Sequence, residues 1–175
     1  TATEVLLSEQ AQTKPGADSK ALVFGQIVHR LLERTIWEKG KVNKEDALRL
    51  VDADVGDDLL ERAVTTVNRM LSSALVKRIT SARYYKEVPF VYRSEDRIFE
   101  GKIDVIFIED GEIRFVDFKT DTVSKRQASK NIGKYRPQME IYAQAIEKAC
   151  GTLPKEAIIY FTHPLVAVSV PIGNE

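Results

Sequence analysis

Residues 97–119 read Arg-Ile-Phe-Glu-Gly-Lys-Ile-Asp-Val-Ile-Phe-Ile-Glu-Asp-Gly-Glu-Ile-Arg-Phe-Val-Asp-Phe-Lys, two apolar runs joined by Asp110-Gly111. An Asp-Gly pair between alternating apolar residues is a strong hairpin signal. Arg97 to Ile108 and Glu112 to Lys119 are therefore expected to be antiparallel strands. Asp104 lies six residues before Asp110, and Asp117 six after Gly111. A two-residue turn brings these acids nearly opposite each other. Residues two apart share a strand face, so Lys119 points the same way as Asp117. Burying charge in an apolar sheet is costly unless it is paired or bound to a metal. Two facing carboxylates beside an ammonium suit a Mg²⁺ site that hydrolyses a phosphodiester. The plainer alternative is a cross-strand salt bridge on a solvated face.

Upstream of this hairpin the pattern is helical. Residues 1–18 are polar, with Pro15-Gly16 as a breaker, and read as a linker or arm, although Val5-Leu6-Leu7 could dock. Asp18 or Ser19 can cap a helix running to about Lys39 and ended by Gly40, with Phe24, Ile27, Val28, Leu31 and Leu32 as its stripe. Asn43 opens a short second helix, with Asp46 as a capping partner. A third runs from Asp57 or Asp58 to about Ile79. Tyr85 to Tyr92 reads as the first strand, with a turn near Ser94-Glu95-Asp96. Past the hairpin, residues 120–133 read as a polar loop. A helix follows from about Arg136 to Ala149, with Pro137 in its first turn. Ala157 to Phe161 and Val166 to Val170 complete the strands. This order argues an α/β domain with a mixed sheet flanked by helices.

Composition bounds the rest. The 175 residues suit one domain, and 43% hydrophobic content can fill a core. Lys+Arg and Asp+Glu both total 26, so no global basic field advertises nucleic acid. A DNA partner would need a local patch, and the loop cations Lys125, Arg126, Lys130 and Lys134 supply the best one, with Tyr135 and Arg136 just downstream. One cysteine, Cys150, excludes an internal disulfide or a cysteine cluster. Cys150 and Trp37 read as packing residues, and His163 as structural. No apolar run approaches the ~18 residues of a membrane span, and the start lacks the order of a signal peptide. The chain opens Thr1-Ala2-Thr3, which reads as a piece cut from a longer protein.

Gly101-Lys102-Ile103-Asp104, then Asp117-Phe118-Lys119-Thr120, then Gln138 with Tyr142 on the next helix, resemble the PD-(D/E)XK nuclease superfamily, and within it the RecB/AddA-type nuclease domain of UvrD-like helicase-nucleases. That family carries Gly-x-x-Asp, Asp-Tyr-Lys-Thr and Gln-x-x-x-Tyr in this order. The resemblance spans roughly His29 to Tyr142. It implies a restriction-endonuclease-like fold with an N-terminal helical extension: an arm over 1–18, then a nuclease domain over 19–175, helical to 80 and sheet-based from 81. It implies that His29, in Gly25-Gln26-Ile27-Val28-His29, is a metal ligand with Asp104, Asp117 and the Phe118 carbonyl, although a lone helical histidine is also a common core residue. Glu87 resembles the strand glutamate that precedes Gly-x-x-Asp, as a further acid or a salt-bridge partner. The absent side chain at Gly25 would let another segment approach.

Gln138 and Tyr142 share a helix face; in the family that pair faces the active site and the DNA backbone. Lys119 would stabilise developing charge or position water, with Arg136 joining the DNA-binding cations. The implied function is Mg²⁺-dependent hydrolysis of DNA, Mn²⁺ substituting, on single strands delivered by a helicase domain of the same polypeptide or a partner subunit, in recombinational break repair in a bacterial or archaeal cytoplasm. The alternative is an inactive nuclease-fold module that binds DNA or a partner. Phe118 departs from the family's tyrosine. Without four cysteines there is no iron–sulfur cluster, and without Gly-x-x-x-x-Gly-Lys-Ser/Thr no ATP site in this chain.

Overall fold

The computed structural model describes residues 3–6, 18–51, 55–94 and 97–173. The Pro15-Gly16 breaker and Glu95-Asp96 lie outside them. In chain order the elements are β1 (Thr3–Leu6), α1 (Asp18–Arg34), a 3-10 turn (Trp37–Lys39), α2 (Lys44–Leu50), α3 (Asp57–Leu71), α4 (Ala74–Thr80), β2 (Arg83–Ser94), β3 (Arg97–Glu109), β4 (Glu112–Lys119), α5 (Lys125–Lys130), α6 (Ile132–Cys150), β5 (Glu156–Phe161) and β6 (Val166–Val170). The strands form one mixed sheet. β3 is antiparallel to β2 and β4, β4 is parallel to β5, and β5 is antiparallel to β6.

Local chemistry explains most of the boundaries. Asp110 and Gly111 have φ of 54° and 78°, the left-handed pair that a tight hairpin demands and that glycine accepts without strain. Asn43 caps α2 by accepting from the Asp46 amide, as expected. Several boundaries differ from the sequence reading. The first helix stops at Arg34, and Gly40, at φ 70°, instead closes the 3-10 turn by donating to the Trp37 carbonyl. The third helix is two, because Ser72 ends α3 and the Ser73 side chain caps α4 through the Val76 amide. Residues 125–130 are helical rather than loop, held by a capping box between Ser124 and Gln127. Asn131 then joins α5 to α6, so α6 starts at Ile132 and Pro137 sits inside it rather than in its first turn. Part of the arm is a strand: β1 runs parallel to β3 at Arg97–Glu100. Cys150 is exposed rather than packed.

Two apolar cores lie on opposite sides of the sheet. Val116, Phe118, Ile158 and Tyr160 pack with α1–α4, whereas Phe115, Ile159 and Phe161 pack with α6. Burial of a side chain such as Phe118, 2% exposed, contributes about 1.5–3 kcal/mol. β2 and β3 change sides along their length. Val105 belongs to the first core and Ile103 to the second, and Tyr84 and Phe90 divide likewise. Residues two or six apart on a regular strand share a face, so both strands reverse between these positions. Glu87 and Asp104 lie at the reversal, and Glu87 takes φ 50°. A left-handed non-glycine residue costs about 1 kcal/mol or more and marks a constrained position.

Candidate active site

The reversal positions the site. Pairing of β3 with β4 runs from Glu109↔Glu112 to Val105↔Val116 and then ceases. The next step of that register sets Asp104 beside Asp117, as the hairpin arithmetic predicts. In place of a ladder bond, the Phe118 amide donates to Asp104 Oδ2 at 2.6 Å. Asp104 Oδ1 turns to His29 Nδ1, 3.4 Å away on α1. Ligand atoms of His29, Glu87 and Asp104 all lie within 4.8 Å of one another. Imidazole nitrogen and carboxylate oxygen are suitable donors for a small divalent cation.

Asp117 lies outside that group of three. Its Oδ2 is 2.9 Å from Lys119 Nζ, and both side chains are almost fully buried. Gln138 Oε1 accepts from Lys119 Nζ at 3.0 Å, and Gln138 Nε2 donates to the Tyr142 hydroxyl at 2.7 Å. The ring of Tyr135 lies under Lys119 Nζ, 5.0 Å to its centroid, and the Tyr135 hydroxyl bonds Asp121. Tyr142 is 2% exposed against Phe90 and Phe115. It therefore acts from the core through Gln138, not on the surface. A buried ion pair needs its remaining hydrogen-bonding capacity met to be tolerated. Gln138 and Tyr135 do this for Lys119.

The electrostatics are strained in favour of a cation. Burial pushes the Asp117 carboxyl up to about 6; the Lys119 ammonium opposes this and Asp104 adds to it. Burial, then Asp104 and Glu33, also raise Glu87, while His29 and Lys102 pull it down. Carboxylates crowded together in a half-dry cleft are the setting in which a metal is held. The donor set thus fits the cation expected of it.

Gly25 has the role read for it. A Cβ built there would sit 2.8 Å from Thr120 Oγ1, so the missing side chain lets the end of β4 lie against α1. The five cations Lys125, Arg126, Lys130, Lys134 and Arg136 are exposed on α5 and the start of α6. Lys134 approaches Asp121, and Arg136 pairs with Glu140 at 2.8 Å. Glu33 and Lys102 were missed by the sequence reading. Lys102 Nζ stands 3.6 Å from Glu87 and 3.9 Å from Glu33. Glu33 follows His29 by four residues, the spacing that shares a helix face, which could have revealed it.

A mixed sheet with an acidic cluster where pairing stops and a buried lysine beside it define a nuclease core. A model of the PD-(D/E)XK nuclease superfamily matches residues 5–170, and the chain belongs to that superfamily. Its relatives include AddA proteins, one of the two kinds of chain in the ATP-dependent helicase/nuclease. AddA of Staphylococcus saprophyticus is 28% identical over 167 residues, 81% of this chain and 14% of its own length. AddA of a Thermoanaerobacter species is 35% identical over 99 residues, 53% of this chain and 8% of its own. The chain thus spans about a seventh or less of these relatives. A crystal structure from Eubacterium rectale, described as a candidate exonuclease, superposes with a TM-score of 0.58 at 15% identity, over 93% of this chain and 62% of that one. At that identity the likeness is one of fold. No described helix is long and apolar enough to cross a membrane.

Proposed function

We propose that this chain is a divalent-metal-dependent deoxyribonuclease domain that hydrolyses phosphodiesters in single strands of DNA fed to it by a helicase, in recombinational repair of double-strand breaks. The observation that carries the reading is the convergence of His29, Glu87 and Asp104 ligand atoms within 4.8 Å, with the Asp117–Lys119 pair alongside. Asp104, His29 and Glu87 would hold Mg²⁺ or Mn²⁺, with Asp117 and the Phe118 carbonyl on its other side. When bound, such an ion supplies a water of lowered pKa and offsets charge on the phosphoryl oxygens.

The protein's own groups supply the rest. Lys119, held by Asp117 and Gln138, places a fixed ammonium where negative charge grows on the phosphorus centre. Asp117 keeps Lys119 protonated in a buried setting and accepts a proton from the nucleophilic side as its own carboxyl, raised to about 6, permits near neutral pH. Tyr142 fixes the rotamer of Gln138, and Gln138 fixes Lys119. The α5 cations and Arg136 supply sequence-independent phosphate contacts. AddA-named relatives support helicase linkage and a bacterial setting for the longer protein.

The test is cleavage of single-stranded DNA in Mg²⁺ or EDTA by wild type, Asp104→Ala, Asp117→Ala and Lys119→Ala. Metal-dependent cutting that drops at least about a hundredfold in each variant is expected, from the loss of charge stabilisation. Equal cutting by wild type and Asp117→Ala refutes the site.

A further inference from the structure

Beside the reaction site lies an open cavity of about 770 Å³ that the chemistry above leaves unused. It is lined by Phe24, Arg62, Thr66, Thr120, Thr162 and His163, among others. Two links tie it to the site. Thr120 follows Lys119 directly, and the Thr162 amide donates to the Lys119 carbonyl at 2.8 Å. On the other wall, Gly25 abuts Thr120 and precedes His29 by one helical turn, about 6 Å along the axis. The cavity is thus one short step from the metal-binding side chains.

Its chemistry is mixed. Arg62 lies over the Phe24 ring, 5.2 Å to the centroid, giving a flat cationic–aromatic surface. Several threonine hydroxyls offer both donors and acceptors. Asp58 and Glu61 also line the cavity, which disfavours a phosphate but accepts base amino groups. Thr162 is 2% exposed, and its Oγ1 makes no hydrogen bond among the described residues. A buried hydroxyl without a partner is costly, and this one belongs to a wall of the cavity.

We propose that this cavity is a nucleoside subsite. It takes the base and sugar of the nucleotide next to the scissile phosphate, stacked on Arg62 and Phe24 and bonded by the Thr162 hydroxyl. The proposal rests on the nuclease reading for the identity of its ligand. It makes strand cleavage depend on a base being present at one position, beyond the uniform phosphate contacts of the α5 cations.

The experiment measures binding of short single-stranded deoxyoligonucleotides, each with one abasic nucleotide at a different position, by fluorescence anisotropy in EDTA. Wild type, Thr162→Val and Thr66→Phe are compared. Thr66 is half-exposed on α3, so its phenylalanine fills the cavity without disturbing the core. One abasic position weakens wild-type binding about tenfold, the worth of a stacked base, and the same position costs Thr66→Phe nothing further. Thr162→Val weakens binding of the intact strand. Binding unchanged in both variants, an abasic profile identical in wild type and Thr66→Phe, or no binding by wild type overturns the subsite. Cleavage in Mg²⁺ is read separately. Position-specific binding without cleavage would sink the nuclease reading and leave the subsite, and cleavage with unaltered binding in the variants does the reverse.

Discussion

Asp117 gives the most direct physical test of the site, and it needs no substrate. In the folded chain its carboxyl is raised from the usual 3.8 to about 6, chiefly by burial. Between those values the native state holds a proton that the unfolded chain has released. Stability therefore falls as pH rises through this window, since it follows the difference in protons bound, unfolded minus folded. At 1.36 kcal/mol per pH unit the shift corresponds to roughly 3 kcal/mol, present below pH ~4 and lost by pH ~7. Asp117→Asn removes the titration while keeping nearly the same shape.

The measurement is urea unfolding in EDTA from pH 3.5 to 8 for both proteins. Other ionisable groups largely cancel in the difference. Loss of the Lys119 ion pair adds an offset that stays flat across this range. The expected difference curve slopes against wild type by about 3 kcal/mol between pH 4 and 7. Saturating Mg²⁺ removes most of that slope, because the ion favours the ionised carboxylates. A difference independent of pH in EDTA would show that Asp117 ionises as it does in the unfolded chain, and the argument from buried, crowded charge would fail.

Three further outcomes follow from the structure. Gly25→Ala gains about 1 kcal/mol of helix propensity but drives a Cβ to 2.8 Å from Thr120 Oγ1; it destabilises wild type in thermal melts yet stabilises the Thr120→Ala background by about 1 kcal/mol, and equal effects in both would refute the contact. Phe118→Tyr restores the residue usual in relatives but buries a hydroxyl beside Trp37 and Tyr160; urea midpoints report a loss of about 1–3 kcal/mol, and no loss would mean the ring edge reaches a partner. Mn²⁺ at a hundred times its dissociation constant stabilises the protein by about 2.7 kcal/mol; Glu87→Gly abolishes that gain in calorimetry, and an undiminished gain would remove Glu87 from the ligands.

The hairpin was legible because its information is local. Asp110-Gly111 dictates the turn, the turn dictates the register, and the register sets Asp104 beside Asp117. Gly25 was legible for the same reason that a missing Cβ implies a close neighbour. The capped break between α3 and α4 was hidden because Leu71, Leu75 and Ile79 continue one apolar stripe through Ser72-Ser73. Helix α5 was hidden because only Ala128 of its six residues is buried, leaving no periodicity to read. Its Ser124–Gln127 spacing was the available sign. The parallel pairing of β1 with β3 joins segments about ninety residues apart, and no local rule specifies that.

The face reversal in β2 and β3 was illegible for a deeper reason. It arises from the competition of two cores, one under α1–α4 and one under α6, for the same two strands. A strand that stayed on one face would leave His29, on α1, and Lys119, on the α6 side, separated by the sheet. Turning over at Glu87 and Asp104 opens the ladder there and lets Asp104 meet His29 through one oxygen and the Phe118 amide through the other. The left-handed backbone at Glu87 and the raised carboxyls are both unfavourable for the isolated fold. They coincide at the one place where a cation would offset the charge, and strain concentrated where chemistry is proposed is what selection on function, rather than on stability, leaves behind.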